Sequence, residues 1–151
     1  MITIEPVEPD QEEIRALIDD LDALQKSLYP AESNHLDPES VLQQAHVRMF
    51  AALEDGVAVA CGAVKLAGDY AELKRMYVLE SHRGQGIARR LLARLEQEAW
   101  QHGIARVYLE TGIRQEAALR FYSAMGYAER GPYAEYKTDA FSVYMEKLLQ
   151  Q

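Results

Sequence analysis

Cysteine is almost missing from this chain. Cys61 stands alone in 151 residues, so no internal disulfide can form and no cysteine cluster is present for zinc. A reducing, cytoplasmic setting is therefore the expectation. Long apolar runs are missing too. The longest, such as Val57 to Val64, fall far short of the ~20 residues that a membrane-crossing helix needs. The first ten residues carry Glu5, Glu8 and Asp10 and no basic side chain, so they do not read as a secretory leader. Positive charge is in deficit: 16 Lys and Arg face 24 Asp and Glu, a formal net charge of −8. Such a surface repels nucleic-acid phosphates and anionic lipid, and no nucleic-acid or membrane partner is expected. It suits a cationic or zwitterionic small substrate. His46, His82 and His102 lack ligand-like spacing, so no metal is expected either. No internal repeat or low-complexity stretch interrupts the chain.

What is present is ordinary for a globular protein. Hydrophobic residues make up 48% and charged residues 26%. At about 150 residues per domain, residues 1–151 are expected to form one domain. Met1 to Val7 alternates apolar and polar side chains and reads as a strand. Pro9 and Asp10 then open a helix whose apolar face is Ile14, Leu17, Ile18, Leu21, Leu24 and Leu28, ended by Pro30. Tyr29 to Leu36 is a polar loop, and Asp37-Pro38-Glu39-Ser40 reads as the capped start of a brief helix. Val47 to Leu53 and Val57 to Leu66 are β-like, with Asp55-Gly56 as a hairpin turn between them. Gly68-Asp69 marks the next turn before Tyr70 to Val78, which completes a three-stranded meander.

From Gly86 to Gly103 the period changes to helical. Ile87, Leu91, Leu92, Leu95 and Ala99 share one face, while Arg89, Arg90, Arg94 and Glu98 are expected to point elsewhere. Val107 to Glu110 reads as a buried strand, and Gln115 to Met125 as a helix. Tyr127 to Glu129 and Phe141 to Leu148 read as strands around a polar loop. The order β-α-α-β-β-β-α-β-α-β-β indicates an α+β fold and excludes a pure barrel or bundle.

The most informative segment is Met76 to Leu92, where a strand leads through Arg83-Gly84-Gln85-Gly86-Ile87-Ala88 into the long helix. The first turn of a helix carries N–H groups with no internal partner and the positive end of the dipole. Gly84 and Gly86 let an anion approach the backbone, Ala88 keeps the next turn narrow, and Arg83 adds a cation. A pyrophosphate fits such a cradle. Two glycines at a strand-to-helix turn are also common turn chemistry. The three-glycine dinucleotide fingerprint and the Gly-Lys-Ser/Thr phosphate loop are both absent.

The segment resembles the acyl-CoA motif of the GNAT (GCN5-related N-acetyltransferase) superfamily, Gln/Arg-x-x-Gly-x-Gly/Ala, at Arg83, Gly86 and Ala88. The strand Leu73 to Val78 before it, the block Ala118 to Tyr127, and the terminal strand Phe141 to Lys147 resemble that family's segments in order. The resemblance runs from about Val47 to Leu148. It implies a GNAT-like, mostly antiparallel central sheet flanked by helices, with acetyl-CoA (coenzyme A) as co-substrate and no metal.

The resemblance also implies roles. Met76, Tyr77 and Val78 would lie on a strand that splays from its neighbour and offers backbone groups to the pantetheine arm. An N–H there would stabilise the developing oxyanion; Met76 and Val78 also read as core side chains. The N–H groups from Gly84 through Ala88, including Gln85 and Ile87, would take the pyrophosphate beside Arg83. Tyr122 falls where the family often has a proton donor for the thiolate, and also reads as a core aromatic beside Phe121. Gln115 stands where the family often has a cofactor-contacting asparagine, a departure from the pattern.

An ammonium acceptor must lose a proton before attack. Glu72 and Glu110 are the candidate bases, Glu72 first; a salt bridge with Lys74 or Arg75 is the simpler account of Glu72. The loop with Tyr29, Ser33, Asn34 and His35 would lie over the acceptor, or be a solvated turn. Arg75 and Arg114 are candidates for an acceptor carboxylate. The expected reaction is acetyl transfer to a primary amine of a small molecule or amino acid, by direct attack in a ternary complex. Acetylation of a protein N-terminus or lysine, and a non-catalytic acyl-CoA sensor, are the rivals. Exposed sheet edges also allow a homodimer.

Overall fold

A computed structural model describes residues 1–150. Strand β1 (Ile2–Val7) is followed by helix α1 (Glu12–Leu28), a single 3-10 turn at Ala31–Ser33, and the one-turn helix α2 (Glu39–Leu42). The meander is β2 (Val47–Glu54), β3 (Val57–Leu66) and β4 (Ala71–Val78). After a 3-10 turn at Glu80–His82 come α3 (Ile87–Gln101), β5 (Arg106–Gly112), α4 (Glu116–Ala124), β6 (Ala128–Arg130) and β7 (Ser142–Leu148). The element order is the one expected, and the result is a mixed α/β fold around a mostly antiparallel sheet. No helix among the described residues is long and apolar enough to cross a membrane.

All seven strands form one sheet in the order β1-β2-β3-β4-β5-β7-β6. The β2–β3 turn has Asp55 and Gly56 both at positive φ, 49° and 87°, as a tight two-residue hairpin requires. Helices α1 and α2 cover one face, with Ile14, Leu17, Ile18 and Leu42 packed on Met49, Ala51, Cys61 and Ala63. Helices α3 and α4 cover the other, where Leu91, Leu92 and Leu95 meet Val64, Leu73, Val107 and Leu109.

One junction departs from regular pairing. Strands β4 and β5 are parallel and pair only at Ala71 with Val107 and Glu72 with Tyr108. Beyond Glu72 they part. The cause lies on the other edge of β4, where the β3–β4 register shifts between Cys61 and Ala63. Arg75 sits there at φ 55°, in the left-handed region, so that β4 carries an extra residue and bends. Gly62 faces this bulge. A Cβ on Gly62 would lie 2.6 Å from the Met76 sulfur and 3.0 Å from a Leu95 methyl.

Three local expectations are corrected. The apolar face of α1 is buried only as far as Leu21; Leu24 is exposed, because the end of the helix runs past the packed sheet and over the gap. Glu98 does not point to solvent. It is buried, 3.7 Å from Arg94, whose guanidinium lies 4.3 Å from the centre of the Phe50 ring. Asp37 does not cap α2. Pro38 holds that position without a side-chain cap, and the Asp37 carboxylate instead reaches the Lys74 ammonium at 2.5 Å.

Candidate active site

The parting of β4 and β5 opens a cavity between them. Its walls come from α1, the 29–36 segment, both strands, the start of α4 and the β6–β7 connection. Leu21, Gln25 and Tyr29 reach it from α1 and the residue after it, at helical spacing. Of the residues expected to form a site, the fold gathers Tyr29, Ser33, Asn34, His35, Glu72, Arg75, Met76, Glu110, Gln115 and Tyr122 on this cavity. Tyr77, Val78 and the Arg83-to-Ala88 segment do not line it; they continue from the open end of β4.

The two candidate bases have different surroundings. Glu72 is buried, and its Oε2 accepts hydrogen bonds from Tyr133 at 2.8 Å and Tyr136 at 2.7 Å. Its Oε1 lies 3.4 Å from Lys74. Burial and the Glu72 charge both push the two phenols well above the ordinary tyrosine range. Glu110 Oε2 lies 2.6 Å from His35 Nδ1 and accepts from the Ser142 hydroxyl at 2.6 Å. Burial raises the Glu110 carboxyl above its ordinary value, against the opposing pull of those two hydrogen bonds. The His35 ring also packs against Tyr136, centroids 5.3 Å apart.

The other loop residues are tied into the structure. Ser33 donates to Asp139 at 3.0 Å, and Asn34 donates to the carbonyls of Tyr29 and Pro30. The Tyr29 hydroxyl accepts from the Arg114 amide at 3.1 Å and donates to Gln115 at 3.3 Å. Arg75 is engaged on both sides: its Nη2 donates to the Asp37 carbonyl at 2.6 Å, and its Nε lies 3.0 Å from Asp22 as an ion pair without hydrogen-bond alignment. The Arg114 guanidinium donates to the Leu28 carbonyl and lies 5.0 Å from the Phe141 ring centre.

The segment ahead of α3 has open backbone. Gly84 and Gly86 both have φ 79°, and a Cβ at either would meet no atom within 4 Å. No backbone carbonyl among the described residues accepts from the N–H groups of Gly84, Gln85 or Gly86, and those of Ile87 and Ala88 belong to the unpaired first turn of α3. Arg83 is exposed and donates to the Val78 carbonyl at 3.0 Å, its guanidinium 5.8 Å from the Tyr77 ring centre. A diphosphate fits this set of free donors at a helix N-terminus.

Comparison with known proteins decides the family. The model of the Acetyltransferase (GNAT) family matches residues 16–127. The chain belongs to the GNAT acetyltransferase family. It is 41% identical to the IAA acetyltransferase of Azospirillum brasilense, over 98% of each chain. It is 28% identical to an aminoglycoside N(6′)-acetyltransferase type 1 of Salmonella typhimurium, over 76% of this chain and 88% of that one. A Klebsiella pneumoniae protein assigned as an acyl-CoA N-acyltransferase has a solved structure that superposes with a TM-score of 0.84, at 39% identity over 99% of both chains. The protein is an acyl-CoA-dependent N-acetyltransferase, and GNAT enzymes use acetyl-CoA.

Tyr122 faces the same cavity from α4. It is buried, packs edge-to-face on Phe121 and Tyr127, and lines the cavity. Burial pushes its phenol well above the ordinary range, so it stays protonated. Its hydroxyl makes no hydrogen bond among the described residues. Cys61 is fully buried, and burial pushes its thiol up to about 12, which makes it inert as a nucleophile.

Sequence reasoning missed several residues on this GNAT site. Tyr133 and Tyr136 lie in what reads as a polar loop, though two tyrosines three apart, flanked by Phe141 and Tyr144, were a signal of burial. Lys74 reads as an ion-pair partner of Glu72, which it is at 3.4 Å, but its pairing with Asp37, and the place of Ser142, had no local signal. Their places depend on the register of strands far apart in sequence.

Proposed function

We propose that this enzyme transfers an acetyl group from acetyl-CoA to a primary amine of a small molecule, by direct attack within a ternary complex. The observation that carries the reading is the two-pair β4–β5 junction, which opens onto a polar cavity, in a chain that also leaves the amides of residues 84–86 free ahead of α3. Acetyl-CoA supplies an activated acyl thioester. Amides 84–88 hold its diphosphate, with Arg83 alongside, and the gap-facing backbone of Met76 to Val78 orients its arm. Tyr122 donates a proton to the departing sulfur, because a bare thiolate in a dry site is costly.

The acceptor side is electrostatically biased. Its two buried cations are already matched, Lys74 by Asp37 and Glu72, and Arg75 by Asp22. Neither is free for an acceptor carboxylate, while Glu110 adds negative charge on the cavity wall. A cationic amine is favoured over an acidic amino acid. The relative named an aminoglycoside acetyltransferase supports a small, cationic acceptor. The chain's net charge of −8 points the same way.

The test is a pair of measurements on the purified protein. Calorimetry should give a saturable isotherm for coenzyme A. Free-thiol release from acetyl-CoA should then rise with spermidine, tryptamine or kanamycin and stay low with glutamate. Binding of coenzyme A with no turnover on any of these amines or on lysine peptides would replace the enzyme reading with that of an acyl-CoA sensor.

A further inference from the structure

We propose that His35 takes the proton of the acceptor amine, and that Glu110 is a positioning residue which holds the imidazole by Nδ1 and leaves Nε2 bare toward the cavity. The inference rests on the acetyl-transfer reading and deepens it.

Three observations converge. Glu110 Oε2 lies 2.6 Å from His35 Nδ1, and Ser142 donates to that same oxygen at 2.6 Å, so the carboxylate is fixed from two sides. The ring plane is set by Tyr136, at 51° and 5.3 Å. His35 Nε2 has no hydrogen-bond partner among the described residues, and the residue lines the cavity. A base oriented by a third group is the arrangement that lets a side chain accept a proton in one direction only.

The other titratable groups are less suited. Glu72 is fully used by two phenols and Lys74, which gives it the task of anchoring the β6–β7 connection to β4. The charged and titratable groups that face His35 are Glu110 from β5, Tyr136 and Asp139 from the β6–β7 connection, and Glu72, Lys74 and Arg75 from β4. Asp37 lies on its own segment, bound to Lys74, and Tyr29 and Tyr122 complete the wall from the α1 and α4 sides. The two phenols nearest Glu72 and that of Tyr122 are pushed up and remain protonated, so none competes as a base.

The step balances. The ammonium gives one proton to Nε2. Its freed lone pair forms the C–N bond to the acetyl carbon as the C–S bond breaks, with the bonding pair going to sulfur. Tyr122 gives its phenolic proton to that sulfur and is restored by the nitrogen's surplus proton, and the imidazolium returns its own to solvent.

Imidazole nitrogen chemical shifts test the arrangement without knowledge of the natural acceptor. The neutral His35 ring of the wild-type protein should carry its proton on Nδ1, and in Glu110→Gln both tautomers should populate. In thiol-release assays with spermidine, tryptamine and kanamycin, His35→Gln should lower kcat/KM about 100-fold and flatten its acid limb. Glu110→Gln should lower kcat about 10-fold with little change in KM. Calorimetric affinity for coenzyme A should stay within about 2-fold in both variants, which shows that they are folded. An Nε2-protonated neutral ring, or His35→Gln with at least half the wild-type rate and an unaltered pH profile, would overturn the proposal. Failure of the wild-type protein to turn over any amine would instead count against acetyl transfer, and the tautomer would still decide the dyad.

Discussion

At the scale of single residues, Glu110 couples stability to pH in an unusual direction. Burial raises its carboxyl, more than the Ser142 and His35 hydrogen bonds lower it. The folded state therefore binds the Glu110 proton more tightly than the unfolded chain does. That contribution to stability is complete below the unfolded carboxyl value and is lost as pH rises through the folded one. Glu110→Gln mimics the protonated form. It should be at least as stable as the wild type at neutral pH, with Tm higher by about 2–4 °C for each kcal/mol gained. The difference should shrink toward zero at about pH 4 and below, where the wild-type carboxyl is protonated in both states. Thermal melts of both proteins across this range check it. A variant that loses activity while keeping or gaining stability marks a group whose ionised form serves chemistry rather than folding.

At the scale of elements, the seating of α1 against β5 depends on one missing side chain. A Cβ on Gly112 would lie 1.9 Å from the Tyr29 hydroxyl oxygen and 2.2 Å from its ring carbon Cζ. Tyr29 joins the end of α1 to the start of α4, through the Arg114 amide and Gln115. Gly112→Ala must push the ring away and break both links. The expected cost is about 2–3 kcal/mol, a fall in Tm of roughly 5–10 °C. In a Tyr29→Ala background the same substitution should cost far less, and a double-mutant cycle by thermal melts measures the difference. The elements themselves were legible because each rests on a local period or turn: Asp55-Gly56 for the hairpin, and Ile87, Leu91, Leu92 and Leu95 for α3. Glu98 and Asp37 were misread because their partners come from tertiary packing. Glu98 lies under the β1–β2 edge with Arg94, and Asp37 is drawn from its cap position by the buried Lys74 charge.

At the scale of the whole molecule, the sheet is two halves that share two residue pairs. Polar contacts bridge the gap around the cavity: Glu72 with Tyr133 and Tyr136, His35 with Glu110, Ser33 with Asp139, and Tyr29 with Gln115. The glycine loop proposed to hold the diphosphate was legible in Arg83 to Ala88, because helix N-terminal chemistry is local. The bridges were not, since they join residues up to 106 positions apart. No bridge of that kind joins β5 to Met76, Tyr77 or Val78 of β4 among the described residues, so a ligand arm seated there adds cohesion that the chain does not supply. Coenzyme A at one hundred times its Kd should stabilise the fold by about 2.7 kcal/mol, a rise in Tm of roughly 5–10 °C. Amide exchange should slow most at residues 76–78, which the arm would cover, and at 84–88, where backbone donors are open in the free protein. A full thermal shift without protection at 76–78 would place the arm outside the gap, and the splayed strands would then need another explanation.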